Sequence, residues 1–346
     1  MVKKHKQYLS FQWCNKRKEG LYMSKKFIIL ILIIGGLMCL DKAIGKESSF
    51  PTKPIELVCP YGAGGSTSMG TRIIAGTLSE LLGVPVIVNN KPGAGGSIGA
   101  AYVAKSKSDG YTLFVFNSGS NGVTPAIRSV EYKNADFELF GQYAIQTLAM
   151  VVKNDAPWKS LEELVIYAKK NPGTLKYATS GIGTSAHFGM ELFKSAAEGL
   201  KIDHVPFKSG PEYIAALLGG HVHMGILFLV DIKGPVEAGK LRILATATEK
   251  RLEDYPDIPT FSELGYPEVK LTAWYGIAAP NGVPKEISDK LKDALYKTFR
   301  HPEVKKMLIH IGYVPVFRDA EQFKKFVSEE EKKFQKIAKE ANIRVD

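Results

Sequence analysis

Four stretches rich in glycine and hydroxyl residues could bind a ligand, and the first is residues 61–68, Tyr-Gly-Ala-Gly-Gly-Ser-Thr-Ser. It follows a strand-like segment and opens a helix-like one. Glycine lets the backbone approach a ligand closely, and the free N–H groups at a helix start attract anions. A tight turn before a helix N-cap would have the same composition, so this stretch alone supports both interpretations. It is not a dinucleotide-binding fingerprint, because Thr67 stands where that pattern has its third glycine.

The second stretch, residues 90–99, again places glycines between a strand and a helix. Residues 95–99 match the Gly-x-Ser-x-Gly pattern around the nucleophile of α/β hydrolases, which would make Ser97 a catalytic serine. That pattern needs an apolar strand running directly into it, and here Asn-Asn-Lys-Pro at 89–92 intervenes. Ligand binding is therefore the favoured interpretation, and an exported hydrolase using Ser97 is the enzyme alternative.

The third and fourth stretches also follow strand-like segments. Asn117 and Ser118 come directly after a predicted strand, and parallel α/β sheets bind ligands at the carboxyl ends of their strands. Residues 178–187 place glycines and hydroxyls before a helix whose first turn contains His187. A lone histidine at such a position is more often structural than a ligand contact.

The sequence lacks the residue groups that enzymes and metal sites need. No nucleophile with its base and no acid–base pair accompanies these stretches. His221 and His223 share one face of a strand, but no third ligand lies nearby in sequence. Cys59 lies in an apolar strand, where we expect a buried and unreactive thiol. We therefore predict a protein that is not an enzyme and has no metal or cofactor.

The elements that must position these stretches alternate between strand and helix from Ile55 onward, which predicts a parallel sheet covered by helices. Two long extended stretches, near 145–153 and 270–279, bracket a central α/β block. The chain would thus leave one lobe, build a second and return, which makes a hinge and a cleft. The predicted fold class is α/β with two lobes joined by two crossover strands. The first lobe comprises residues 46–149 plus 274–346, and the second comprises 150–273.

Residues 1–45 have the features of an export leader. Lys25 and Lys26 precede an apolar run of about 14 residues, which is too short to span a bilayer comfortably. The small residues at 43–45 predict signal-peptide cleavage after Gly45, with an uncleaved anchor or a lipoprotein at Cys39 as alternatives. Residues 1–22 are polar and unlike a signal, so Met23 would be the more natural start. The predicted location is the periplasm.

The net charge of +11 comes mostly from this leader. Residues 1–45 hold nine basic and two acidic residues, which leaves 37 basic and 33 acidic residues in the rest. No basic stripe of the kind that binds nucleic acid is left, so we expect no nucleic-acid partner.

With these segments placed, the sequence resembles the receptors of tripartite tricarboxylate transporters, also called the Bug solute-binding proteins. The resemblance rests on six collinear segments, 60–67, 90–96, 108–113, 180–187, 204–208 and 274–276. It implies a type II periplasmic-binding-protein fold that closes on a small carboxylate. Loops 61–68 and 180–184 would hold that carboxylate from opposite lobes, partly through bridging water. It also implies delivery to a two-component membrane permease; we expect a monomer, and a sensing receptor without transport is the second alternative.

Two positions depart from the family pattern. Ser68 stands where the family commonly has an aspartate that reads an amino or hydroxyl group, and Leu227-Phe228 stands where it often has Asp-Asn. We therefore expect a less polar pocket that favours an aromatic or aliphatic carboxylate over citrate. The expected ligand-binding residues are Tyr61, Gly62, Ala63, Gly64, Gly65, Ser66, Thr67, Ser68, Gly95, Asn117, Ser118, Ser180, Gly181, Gly183, Thr184, His187, Phe207, Leu227 and Phe228.

Overall fold

The computed structural model describes residues 50–345, so the predicted leader and its cleavage site lie outside the described residues. In this range no helix is both long enough and apolar enough to cross a membrane. Ten strands form one mixed sheet. The strands are β1 (Ile55–Cys59), β2 (Val86–Asn90), β3 (Thr112–Asn117), β4 (Phe137–Lys153), β5 (Lys176–Thr179), β6 (Asp203–Pro206), β7 (Met224–Phe228), β8 (Leu241–Thr246), β9 (Thr272–Pro280) and β10 (Val314–Arg318).

Ten α-helices cover this sheet in the described range. They are α1 (Ser66–Leu82), α2 (Ser97–Ala104), α3 (Thr124–Ile127), α4 (Leu161–Lys170), α5 (Ser185–Ala196), α6 (Gly210–Leu218), α7 (Leu229–Glu237), α8 (Lys285–Arg300), α9 (Pro302–His310) and α10 (Ala320–Glu340). The predicted cap of α4 is present, since the Ser160 side chain accepts a hydrogen bond from the Glu163 backbone N–H. That bond satisfies one of the N–H groups that a helix start leaves free.

Strand β4 connects the two halves of the sheet. Its first part, up to Thr147, pairs with β9 and β10, and its last part, from Leu148, pairs with β7 and β8. Strands β1, β2 and β3 are parallel to one another on one side, and β5 is parallel to β6 and β7 on the other. We call β1–β3, β10 and their helices the first lobe, and β5–β8 and their helices the second lobe.

Each lobe has a hydrophobic core of its own, and a third, larger core runs through both. Phe116, Trp274 and Phe323 pack together in the first lobe, with the Trp274 ring stacked on that of Phe116. Tyr213, Leu227 and Ile243 belong to the core of the second lobe. The predicted α/β two-lobe fold class is confirmed, whereas the predicted lobe boundaries near residues 149 and 273 stay a prediction.

Two elements that the sequence pattern did not predict lie beside the cleft. Helix α7 contains Gly234 and Pro235, which weaken or interrupt helices, so its sequence gives little helical signal. Helix α3 is only four residues long, with Pro125 in its first turn, and offers too few residues to show helical periodicity. Strand β10 was also missed.

Candidate functional site

Three helices begin at the same small cavity between the lobes. Helix α1 begins at Ser66 from the first lobe, and α5 and α6 begin at Ser185 and Gly210 from the second. Neither α1 nor α5 has an acidic residue in its first turn. Because each helix N-terminus carries free N–H groups and a partial positive charge, this cavity favours anionic groups.

We call this cavity, of about 20 Å³, the inner cavity. It is lined by Tyr61, Gly62, Gly65, Ser66, Thr67, Asn117, Ser118, Ser180, Thr184, Ser185, Lys208, Ser209, Gly210, Tyr213, Phe228, Asp231 and Tyr275. One water needs roughly 10–15 Å³ of such space, so a metabolite does not fit without movement of the walls. The structure is therefore a closed arrangement, and a ligand must enter through a more open one.

Direct contacts between the lobes maintain this closed arrangement. The hydroxyl oxygens of Ser118 and Ser185 lie 3.0 Å apart, and the Thr124 hydroxyl donates to the Gly183 carbonyl at 2.9 Å. A Cβ atom on Gly95 would lie 2.6 Å from the Ile182 carbonyl oxygen, closer than such atoms approach in proteins. Glycine at position 95 thus allows the two backbones to meet.

A second depression, which we call the outer groove, leads away from the inner cavity and has a volume of about 510 Å³. Tyr61, Ser180 and Lys208 line both. The outer groove carries two cationic side chains, Arg128 and Lys208, and no acidic one among its lining residues. A charge balance of this kind attracts anions toward the cleft.

Asp231 is the acidic residue among those that line the inner cavity. It lies in the first turn of α7, and its carboxylate accepts a hydrogen bond from the Tyr213 hydroxyl. Burial raises the pKa of Asp231 to about 6, although hydrogen bonds from Tyr213 and from the side chain and backbone of Ser66 oppose that rise. The wall of the cavity thus contains a carboxylate that titrates near pH 6.

Three tyrosines that line the cavity and the buried His187 stay neutral near pH 7. Burial raises the pKa of the Tyr61, Tyr213 and Tyr275 hydroxyls well above the usual value, so they remain hydrogen-bonding phenols. Burial lowers the pKa of His187 to about 4, so that its ring is uncharged. Among residues 50–345 no cluster of three or more His, Cys, Asp or Glu side chains could hold a metal ion.

The structure brings most of the expected ligand-binding residues to the cleft. Ten of them line the inner cavity: Tyr61, Gly62, Gly65, Ser66, Thr67, Asn117, Ser118, Ser180, Thr184 and Phe228. Gly95, Gly181 and Phe207 line the outer groove instead. That these residues contact a ligand stays a prediction.

Six of the expected residues line neither space. Ala63 and Gly64 are exposed on their loop. His187 is buried beside the His204 ring, where its Nδ1 accepts from the Gly183 N–H at 3.4 Å. Gly183 itself contributes its carbonyl to the cross-lobe bond from Thr124.

Ser68 and Leu227, which with Phe228 carried the expectation of a less polar pocket, do not line the inner cavity. The Ser68 hydroxyl bonds to the Asn90 side chain, at 3.1 Å, inside the first lobe. Leu227 and Phe228 are consecutive in a strand, so their side chains point to opposite faces. Leu227 therefore packs in the core of the second lobe, and Phe228 lines the cavity.

Several residues of the cavity were missed in the sequence. They are Ser185, Lys208, Ser209, Gly210, Tyr213, Asp231 and Tyr275, together with Thr124 in the contact between lobes. One signal was available, since Ser209 and Glu212 have the spacing of a capping box that begins α6 at residue 210. Asp231 had no local signal, because its approach to Ser66 depends on the packing of the two lobes.

Ser97, the nucleophile of the hydrolase alternative, does not line the inner cavity. Its hydroxyl donates to the Ala94 carbonyl at 2.9 Å, at the start of α2. Cys59 is buried, as predicted, and burial raises the pKa of its thiol to about 11.

Comparison with known proteins identifies a family. The family model described as tripartite tricarboxylate transporter family receptor matches residues 71–343. A Cupriavidus necator relative, the UPF0065 protein in gbd 5'region, is 36% identical over 302 residues, 87% of this chain and 91% of the relative. The protein BugT of Bordetella pertussis is 31% identical over 301 residues, 86% of this chain and 92% of BugT.

Solved structures agree with this assignment. A periplasmic transporter superposes with a TM-score of 0.80 at 34% identity, covering 86% of this chain and 100% of that chain. The R. palustris protein Rpa4515 with adipate has a TM-score of 0.79 at 32% identity, covering 85% and 99%. MatC from Rhodopseudomonas palustris with bound malate has a TM-score of 0.79 at 26% identity, covering 83% and 99%. The chain belongs to the tripartite tricarboxylate transporter receptor family.

Proposed function

We propose that this family member is a periplasmic receptor that captures a small carboxylate and delivers it to a two-component membrane permease of the tripartite tricarboxylate type. The observation that carries the proposal is the meeting of three helix N-termini at one cavity between two lobes. Free N–H groups at a helix start bind carboxylates directly or through water. Closure of the lobes then excludes solvent from the bound anion and strengthens those contacts.

The carboxylate position with the most support lies at the start of α5. Ser185 and the N-cap residue Thr184 are both buried there, and the hydroxyls of Ser118 and Ser180 line the same wall. No acidic side chain lies in the first turn of α5. Three serines and a helix N-terminus thus lie around a place suited to one ionised carboxylate, while the Thr184 hydroxyl caps the helix.

The rest of the ligand is proposed to be aliphatic or aromatic. Phe228 lines the inner cavity, and Phe207 and Ile182 line the outer groove, which continues from it. The solved relatives with adipate and malate carry short chain acids. A body of a few carbon atoms could extend from the carboxylate site toward these apolar side chains when the cleft opens.

Binding of acids is tested directly by calorimetric titration. We expect one or more of adipate, malate and benzoate to bind the purified protein with a Kd in the micromolar range or tighter. Adipamide should bind at least about 100-fold more weakly than adipate, because its amide groups carry no charge to interact with the helix N-termini. Native mass spectrometry for a co-purified acid would extend the set of acids. Equal affinity for adipamide and adipate would contradict the proposed anion site, and citrate as the tightest ligand would contradict its apolar character.

Transport is a separate part of the proposal. Deletion of the gene is expected to abolish uptake of the bound acid, and its return on a plasmid to restore uptake. A deletion strain that takes up the acid at the normal rate but no longer responds to it would instead favour the sensing alternative.

The hydrogen bond between Thr124 and Gly183 gives a prediction about closure. The change Thr124→Val keeps the side-chain shape and removes the hydroxyl that joins the lobes in the closed form. Since one such bond contributes about 1 kcal/mol net, the Kd for the tightest acid should rise about fivefold. Thr298→Val is the matched control, because the Thr298 hydroxyl bonds to the Ala294 carbonyl within its own helix. Equal affinities of the two variants would show that the bond does not stabilise the closed form.

A further inference from the structure

Asp231 occupies one corner of the inner cavity, between the starts of α1 and α6. It lines the inner cavity beside Ser66, the residue at which α1 begins. A Cβ atom on Gly210, at the start of α6, would lie 3.0 Å from the Asp231 carboxylate. Two of the three helix N-termini at the cavity therefore face an acidic group of the protein itself.

The groups around Asp231 come from both lobes, and among residues 50–345 no lysine or arginine forms an ion pair with it. Tyr213 from α6 donates a hydrogen bond to it, and Tyr275 from β9 lines the same cavity. Lys208 lies at the junction with the outer groove and is exposed. A second ionised carboxylate brought to this corner would meet the Asp231 charge, and the exposed Lys208, the cationic residue of the cavity lining, forms no ion pair with Asp231 that would offset the repulsion in a desolvated site.

We propose that Asp231 is a specificity-determining residue, whose carboxylate holds the corner between Ser66 and Gly210 so that a ligand must present a hydrogen-bond donor there. This inference rests on the proposed function and narrows its ligand class. The ligand would place one carboxylate at the start of α5 and direct a hydroxyl or ammonium group toward Asp231. The site would discriminate against a dianion of the same length.

Ligands that differ only in one terminal group test this selection. Adipate, 6-hydroxyhexanoate and 6-aminohexanoate form one such set, and succinate, 4-hydroxybutanoate and 4-aminobutanoate form a shorter one. At pH 8 the protein should bind a hydroxy or amino acid about tenfold or more tighter than the diacid of equal length, because like charges in contact are costly. Asp231→Asn should reduce that ratio at least about tenfold, because the amide carries no charge. Asp203→Asn, at an exposed aspartate of the same lobe, should leave the ratio unchanged.

A second measurement tests the inference without any ligand. The Ser66 backbone N–H, which lies near the Asp231 carboxylate, should exchange with deuterium at pH 8 faster in Asp231→Asn than in the unchanged protein and in Asp203→Asn. Equal exchange in all three proteins would overturn the inference, and so would a diacid that binds tightest or a ligand ratio that the Asp231→Asn change leaves intact. If no acid of either set binds, the proposed carboxylate function fails for these ligands, and the exchange experiment alone decides the role of Asp231.

Discussion

Replacing Gly62 with alanine is expected to raise the Kd for a bound acid by about 5- to 150-fold, because overpacking of a close contact typically costs about 1–3 kcal/mol. A Cβ atom at this position would lie 2.9 Å from the Lys208 backbone oxygen and 3.3 Å from the Ser209 Cβ. Gly62 belongs to the first lobe, and both of these atoms belong to the second. The clash would therefore arise only when the lobes close, and it involves a backbone atom that cannot rotate away.

The Gly62→Ala change is expected to hinder closure of the lobes without hindering the folding of the first lobe. Its φ lies outside the left-handed region, so alanine brings no backbone strain within the first lobe. The matched control is Gly76→Ala in α1, where an added Cβ atom meets no other atom within 4 Å. Alanine inside a helix should stabilise the fold by about 1 kcal/mol and leave the affinity unchanged.

Calorimetric titration of the two variants measures the difference, and small-angle scattering with and without the acid measures closure. The Gly62→Ala protein should keep a larger radius of gyration at a saturating concentration of acid, whereas Gly76→Ala should contract like the unchanged protein. Normal affinity and full contraction of Gly62→Ala would show that ligand-bound closure does not bring these atoms together.

The features of the fold and cleft that depend on residues close together in sequence could be predicted from the sequence. Glycines and hydroxyl residues between a strand and a helix, as at 61–68 and 180–184, place a loop and a helix start at the carboxyl end of a strand. This placement does not depend on how the more distant parts of the chain pack. Ser66 and Thr184 were found in this way, and both line the inner cavity. The two extended stretches likewise predicted the strands that connect the lobes, β4 and β9.

The missed features depend on contacts between segments far apart in sequence. Asp231 approaches Ser66, which lies 165 positions earlier, only after each lobe has folded and the lobes have closed. Thr124 and Gly183 meet under the same condition. The sequence predicted a less polar pocket from Ser68, Leu227 and Phe228. Of these, Phe228 lines the cavity, whereas Ser68 bonds to Asn90 inside the first lobe and Leu227 packs in the core of the second lobe. The acidic residue that lines the cavity, Asp231, lies on α7, and Pro235 inside that helix weakens the helical pattern of its sequence.

The raised pKa of Asp231 predicts a specific pH dependence of stability. Its folded-state pKa of about 6 exceeds the ordinary value of 3.8, so the folded protein holds this proton more tightly than the unfolded chain does. The free energy of unfolding should therefore fall as the pH rises from about 4 to about 6 and level off above that. A shift of about two units corresponds to roughly 3 kcal/mol, and partial contact of Asp231 with solvent reduces this to about 1–3 kcal/mol.

Two buried histidines change the free energy of unfolding in the opposite direction over an overlapping pH range. Burial lowers the pKa of His187 to about 4 and that of His204 to about 3, so their contribution to stability is lost as the pH falls below 6.5. The stability of the unchanged protein alone would therefore mix both effects. The difference between Asp231→Asn and the unchanged protein isolates Asp231, because both proteins contain the two histidines.

We expect Asp231→Asn to become more stable relative to the unchanged protein by about 1–3 kcal/mol between pH 4 and pH 7, since asparagine cannot ionise and its amide oxygen still accepts from the Tyr213 hydroxyl. Urea unfolding at pH 4, 5, 6, 7 and 8, followed by the fluorescence of Trp158 and Trp274, gives these free energies. Asp203→Asn should show no such trend. Parallel stability curves for Asp231→Asn and the unchanged protein would mean that Asp231 titrates as an ordinary exposed carboxylate, and the corner between α1 and α6 would then carry a fixed negative charge over the whole range.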